Sequence, residues 1–272
     1  MKIVRYKMTR TGAPCNENRF LISAAKTLFA VIFSFLVSSV AIGLPLSTDD
    51  AGTLGKNRFK IELNIEQSEA QMIDSKETTN TREVSIIHGI QENLNGFISI
   101  PYRDVSTQQP DGNNASNRGL GDAKLGLKWR YFEQSDFSLG LKGAISVATG
   151  DVERKLGNGQ ATYGVNAIAS YELQPWEAHF NLGNLLQPNS QDASDRIANI
   201  STAVAFKLNS RWQVMADIGA TSSNGYKDAL VFTGIGITCE IVKNINAEMG
   251  WKHSLSANVD EISKLARLTV SF

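Results

Sequence analysis

The sequence predicts an all-β protein, a transmembrane antiparallel β-barrel of about twelve strands preceded by a cleaved signal peptide. Three observations carry this. Apolar residues recur with a period of two from residue 59 to the C-terminal Phe272. Short connections alternate with longer polar ones. A basic stretch followed by an apolar run stands at the front.

The front explains itself first. Residues 1–27 carry Lys2, Arg5, Lys7, Arg10, Arg19 and Lys26 against the single acid Glu17, and residues 28–40 are almost wholly apolar. Ser38, Ser39, Ala41 and Gly43 supply the small residues of an exit site, which puts cleavage within 41–43. A retained anchor helix is the competing reading of the same run, and initiation at Met8 fits as well. The division that follows is 1–43 signal peptide, 44–58 periplasmic lead-in segment and 59–272 barrel. The leader takes six of the 27 basic residues and one of the 27 acidic ones, so the remainder carries a net charge of about −5. No basic stripe is left to hold nucleic acid. Cys15 leaves with the leader, and Cys239, alone, makes neither an internal disulfide nor a metal site.

The lead-in, residues 47–56, is polar and glycine-rich, without periodicity. Strands are then expected near 59–68, 82–90, 94–105, 120–132, 137–149, 161–173, 177–187, 197–208, 212–222, 229–241, 245–256 and 262–272. The connections around 91–93, 133–136, 174–176, 209–211 and 242–244 are short. Those at 69–81, 106–119, 150–160, 188–196 and 223–228 are longer and rich in Asp, Asn, Ser, Thr and Gly, and the last, near 258–261, is short for its class. Tight periplasmic turns and longer outer loops are what a membrane barrel shows, and an even strand count puts both termini on the periplasmic side. A soluble sandwich has no reason to sort its loops this way.

The faces agree. Leu125, Leu127, Trp129 and Tyr131 oppose Lys124, Gly126, Lys128 and Arg130; Leu139, Leu141, Ile145 and Val147 oppose Ser138, Gly140, Lys142 and Ser146. A Lys or Arg facing lipid at mid-depth costs about 2–4 kcal/mol, so the charged faces point inward. Tyr131, Phe132, Phe137, Tyr171, Trp176, Trp212 and Phe272 collect at the short-turn end, where amphipathic rings prefer the headgroup level. The final stretch places Ala266, Leu268, Val270 and Phe272 on one face, and a closing strand that ends on an aromatic resembles the assembly signal of bacterial outer-membrane barrels.

Four stretches carry a wider resemblance: residues 47–56 (STDDAGTLGK), 100–103 (IPYR), 119–122 (GLGD) with the strand after it, and 148–151 (ATGD) with 156–159 (LGNG). With Phe272 they make the chain similar to the outer-membrane family of the MetA-pathway of phenol degradation. The family usually has Pro where this chain has Ala148. The resemblance implies a Gram-negative outer-membrane transporter for small compounds, aromatic or hydrophobic ones among them. It supplies no agreed functional residues.

Catalytic and metal signatures are weak. His88 shares a face with Val84 and Ile86, His253 with Met249 and Trp251, and His179 faces inward with Asn181; none has a Ser or Asp at suggestive spacing along the chain. Asp49-Asp50 reads as a solvated acid pair, and Asp111, Asn113 and Asn114 around Gly112 lack the spacing of a calcium loop. No catalytic, cofactor or metal residue is therefore assigned. Function is expected in the lumen, whose lining mixes signs: Lys60, Glu62, Glu66, Lys124, Lys128, Arg130, Lys142, Lys207, Asp217, Glu248, Lys252 and Arg267. Either these charges line a narrow polar passage, or they pair across the barrel and plug it. The inward Gly126, Gly140 and Gly219 favour free space.

The expected function is passage of small molecules by passive or facilitated diffusion. A non-transporting structural barrel is the alternative, and a barrel enzyme acting on lipid the third. The expected partners are outer-membrane lipid, the barrel-assembly machinery that reads Phe272, and a small-molecule solute.

Overall fold

The computed structural model describes residues 47–72, 75–112, 114–187, 196–222, 229–256 and 260–272. The expected leader, its cleavage site at 41–43 and most of the connections 188–196, 223–228 and 258–261 lie outside the described residues. The strand segments are β1 (Phe59–Met72), β2 (Ser75–Gln91), β3 (Leu94–Gln108), β4 (Ala115–Leu120), β5 (Ala123–Gln134), β6 (Phe137–Val147), β7 (Thr162–Leu173), β8 (Trp176–Leu186), β9 (Arg196–Lys207), β10 (Trp212–Thr221), β11 (Leu230–Val242), β12 (Ile245–Ser254) and β13 (Asp260–Ser271). Apart from β4, all are antiparallel neighbours in chain order, and β1 pairs with both β2 and β13, so the sheet closes on itself. β4 and β5 lie end to end against β3, so the wall has twelve strands. Closure removes the free edges that a sheet would otherwise expose.

The outward face is the apolar one. Leu127 (51% exposed), Val165 (55%) and Leu182 (54%) are mid-strand residues directed away from the barrel, as are Leu63, Ile86 and Ile218. Buried polar groups such as Ser85, Asn95, Asn181 and Thr269 lie inside. That inversion of a soluble protein's pattern suits lipid as the outer solvent. Tyr131, Phe132, Phe137, Tyr171, Trp176, Trp212 and Phe272 are all exposed beside the short turns, as the expected girdle requires. Leu127→Arg is expected to lower barrel stability by about 2–4 kcal/mol. Urea titration in lipid, read by the gel-mobility difference between unheated and boiled samples, measures it.

Two expectations about the wall are corrected. Residues 69–81 and 106–119 are largely strand: β1 runs to Met72, β2 begins at Ser75, β3 runs to Gln108 and β4 begins at Ala115. Beyond the apolar belt both faces of these strands are polar, so the apolar alternation that marks a strand disappears while the ladder continues. Thr78, Thr79 and Thr81 still favour it through their branched Cβ. The fourth wall strand, expected unbroken from 120, is interrupted at Gly121-Asp122, where the pairing with β3 slips by one residue. Pro101 sits opposite and offers only its carbonyl, which accepts from the Gly121 N–H at 2.8 Å. Asp122 turns instead to the connection after β6, accepting from the backbone N–H of Gly150 (2.9 Å) and Asn158 (2.7 Å). This seats Leu156, only 2% exposed, inside the barrel mouth.

Candidate functional site: a lumen entered by its lead-in segment

Residues 47–56 do not hang below the barrel as a free lead-in; they enter it. Alternate backbone N–H groups meet inward side chains of successive walls. Ser47 donates to Asp217 Oδ2 (2.9 Å), Asp49 to Asn181 Oδ1 (2.9 Å) and Ala51 to Ser170 Oγ (2.8 Å). Asn181 returns a bond from Nδ2 to the Asp49 carbonyl (2.7 Å) and is itself oriented by Asn166 (2.8 Å). The spacing of two is that of an extended chain, with the lumen wall standing in for a neighbouring strand. Further along, Leu54 donates to Asn95 Oδ1 (3.1 Å) and the Thr53 hydroxyl to the Glu92 carbonyl (2.8 Å). Ala51 is fully buried.

The lower end of the segment needs glycine in the wall. Asn57 donates to the Gly89 carbonyl and Gly89 to the Arg58 carbonyl, both at 2.8 Å. Any Cβ at Gly89 would collide with the Gly55 carbonyl oxygen, so the close approach of the two backbones excludes a side chain there.

The strongest hold is electrostatic. Lys142 Nζ lies 2.6 Å from Asp49 Oδ2, and Lys128 Nζ lies 2.9 Å from Asp49 Oδ1 and 3.3 Å from Asp50 Oδ1. The acid pair expected to be solvated is thus clamped by two wall lysines. Burial pushes the Asp49 carboxyl up, but the two ammonium groups outweigh it and hold it well below the ordinary carboxylate range. A depressed carboxyl contributes stability that is complete above its unfolded pKa of about 3.9 and is lost only as pH falls through the lower folded value. Acidifying from about pH 7 to about pH 4 is therefore expected to leave the segment in place. Conductance in planar bilayers checks this, and a rise within that window would contradict the clamp.

Two adjoining cavities lie in the lumen beside the segment. One of about 530 Å³ lies toward the short turns, lined by Lys60, Glu62, Phe97, Lys128, Lys142 and Arg267 among others. The other, of about 480 Å³, lies further along β1 toward the loops, with Glu66, Arg103, Lys124, Leu156 and Lys252 on its wall. Ser47, Asn64, Glu83 and Arg267 belong to both.

Most of the remaining charges in the expected lining are paired on or near the wall. Arg267 reaches Glu248 (3.3 Å) and Asn64 (2.7 Å), Lys124 reaches Glu83 (3.2 Å), and Lys60 reaches Glu62 (2.8 Å). Lys207 pairs with Glu177, which also accepts from Gln213 (2.6 Å). Arg130 turns to Glu133 (2.9 Å), near a short turn, and Asp217 is the buried acceptor for Ser47.

Three inward glycines, expected to mark free space, are filled. A side chain at Gly126 would strike the Phe97 ring, one at Gly219 the Phe232 ring, and one at Gly140 would come within 3.4 Å of Ala51. Above those rings stand cations: Lys142 Nζ is 5.2 Å from the Phe97 centroid and Lys252 Nζ 5.6 Å from that of Phe232. The glycines therefore seat aromatic rings and the lead-in.

The histidines divide. His88 stacks on Phe59 (4.3 Å) outside the seam, and His253 meets Asp260 at 3.1 Å beside the loops. His179 Nδ1 does lie 2.8 Å from Ser170 Oγ, a pairing made across β7 and β8, which a search for spacing along the chain cannot find. Ser170 is buried under Ala51 and accepts its N–H, so the pair serves as an anchor for the lead-in.

A closed barrel with an apolar outer belt, an aromatic girdle and a charged lumen entered by residues 47–56 defines an outer-membrane β-barrel. The chain belongs to the family described as "Putative MetA-pathway of phenol degradation", whose model matches residues 45–272. Among solved structures it is similar to an outer-membrane channel from Pseudomonas putida F1, at 15% identity and a TM-score of 0.71, covering 84% of this chain and 100% of that one. It is also similar to the NanC porin (10% identity, TM-score 0.55, covering 76% and 98%). The translocator domain of the autotransporter NalP from Neisseria meningitidis matches at 10% identity and a TM-score of 0.54, covering 80% and 90%. No curated protein matches the chain. At these identities the likeness is one of fold.

Proposed function

We propose that this protein is an outer-membrane channel for small solutes, held closed at rest by residues 47–56. The observation that carries this is the nature of the closure. Cavities of about 530 and 480 Å³ already occupy the lumen, and the larger is bounded on one side by an extended segment held by hydrogen bonds and one charge clamp. Polar contacts exchange with water at small net cost, so such a segment can leave and return without unfolding the wall. Mixed charges on the lining suit uncharged and singly charged solutes alike. The expected aromatic preference rests on Phe97 and Phe232 in the lumen wall and on the family to which the chain belongs.

The same reading places both termini on the periplasmic side, with cleavage within 41–43 freeing the segment to enter the barrel from below. It assigns Phe272 to recognition by the assembly machinery. One observation favours the structural alternative: the wall charges are largely paired, as in a barrel that conducts nothing. Flux separates the two. Mature protein refolded into liposomes is expected to admit a small sugar and a small aromatic acid faster than protein-free vesicles do. A folded barrel that admits neither, with or without residues 47–56, would establish the structural reading. Phospholipid turnover by the same sample would establish the enzyme.

A further inference from the structure

We propose that the lysine pair holding Asp49 is also the binding site for the solute, and that a small aromatic carboxylate opens the barrel by taking the place of the Asp49 carboxylate. This rests on the channel reading above and names its substrate class.

The site is already built for a carboxylate, because it holds one. Lys142 Nζ and Lys128 Nζ approach different oxygens of Asp49, at 2.6 and 2.9 Å, so each oxygen has its own charged donor. A solute carboxylate presents the same two oxygens to the same two donors. The lysines belong to β5 and β6, whereas Asp49 belongs to the lead-in, which becomes a strand of the wall only at Phe59. The clamp therefore survives the departure of its present occupant. Lys128 has only 12% of its side chain exposed, and an ammonium so enclosed needs an anion whichever molecule supplies it.

Access and shape agree. Both lysines line the cavity of about 530 Å³, inside the range of roughly 300–1,000 Å³ typical of small-ligand pockets. The Phe97 ring lies against Gly126, which leaves it no room to fall back, and Lys142 Nζ stands 5.2 Å from its centroid. Ile87 lines the same cavity. A ring attached to a carboxylate on Lys142 would meet Phe97 and Ile87, where an aliphatic acid leaves them wet. Solute and segment then compete for one site. Binding of the solute releases residues 47–56, and its departure lets Asp49 return.

Planar-bilayer recordings of the refolded mature protein test this with benzoate, acetate and benzyl alcohol as probes, chloride being adjusted to constant ionic strength. Benzoate is expected to raise the open probability of the wild type by about fivefold or more, the low end of typical couplings between ligands. Acetate is expected to act more weakly and benzyl alcohol not at all. Asp49→Asn is expected to be open without benzoate and to gain little from it. A nitroxide at Thr53→Cys, in a Cys239→Ser background, is expected to become mobile on addition of benzoate. If Asp49→Asn conducts while benzoate neither opens the wild type nor frees the label, the channel stands and this inference falls. Equal responses to benzoate and benzyl alcohol would overturn the carboxylate requirement, and equal responses to benzoate and acetate the aromatic one. If Asp49→Asn and a chain lacking residues 47–56 both fail to conduct, the channel reading itself fails and carries the inference with it.

Discussion

Asp49→Asn is expected to raise solute flux through the refolded barrel by roughly one to two orders of magnitude. The substitution keeps the shape of the side chain and removes its charge. Lys142 and Lys128 then face an amide, and each loses the ionic part of a short contact. Hydrogen bonds to charged groups contribute about 1.5–3 kcal/mol each, and every 1.4 kcal/mol shifts the closed-to-open ratio about tenfold. The backbone bonds at Ser47, Ala51 and Leu54 are untouched, so the segment is loosened without loss of the barrel. Asp50→Asn is the matched comparison. Its carboxylate is 54% exposed and reaches a single lysine, Lys128, at 3.3 Å, so solvent screens most of what it contributes. Liposome entry of a small sugar, measured for both variants against wild type, should rank them Asp49→Asn well above Asp50→Asn. Equal rates for both variants and wild type, in barrels shown to be folded, would mean that the lead-in does not gate the lumen.

Much of this architecture was legible in the sequence because lipid is a demanding solvent. A strand with lipid on one side and a charged lumen on the other must alternate, and a one-residue error would expose Lys124, Lys128 or Lys142 to hydrocarbon. That constraint fixed the face of every membrane-depth strand and, with it, the inward direction of the charges. Where the constraint stops, the reading stopped. Residues 75–81 are polar on both faces, and nothing in their order says that the ladder goes on. The break at Gly121-Asp122 depends on Pro101 across the sheet and on backbone N–H groups more than 25 residues away, which no local window contains.

The lead-in was misread for a related reason. A segment that borrows its hydrogen bonds from side chains of other strands needs no pattern of its own, so residues 47–56 have the look of a loop. A signal was nevertheless present. Ser170, Asn181 and Asp217 are small polar residues at inward positions of their strands, and each is nearly inaccessible in the barrel. Buried polar side chains need partners, and the sequence held a polar segment of suitable length with two acids to set against the inward lysines. The glycines misled in the opposite direction. Gly126 and Gly219 lack side chains because Phe97 and Phe232 lie across them, so an inward glycine marks a seat for a neighbouring ring as readily as an opening.

Deleting Phe272 is expected to remove most of the folded barrel, an effect on assembly larger than any single lumen substitution would have. The last residue closes the seam. Phe59 donates to the Phe272 carbonyl at 2.8 Å and Phe272 to the Phe59 carbonyl at 2.9 Å, the terminal rung between the first and last strands. The two rings stack at 6.4 Å, and Phe59 continues onto His88 of β2 at 4.3 Å, so three strands are joined by one aromatic row at the girdle. Removal leaves the Phe59 N–H and C=O without their rung at the end of the seam, where the β1–β13 ladder starts. Phe272→Ala separates the two contributions, since it keeps the backbone pair and loses the ring. Aromatic pairs are worth about 0.5–1.5 kcal/mol beyond their buried area, so Ala is expected to destabilise the refolded barrel modestly, and deletion severely. Refolding yield in liposomes, scored by the mobility of unheated samples, reports the seam. The amount of folded protein in the membrane of producing cells reports recognition by the assembly machinery as well. If Ala refolds almost as wild type in vitro yet fails to accumulate in cells, the ring is read by the machinery. If the two assays fall together, the ring acts through the seam.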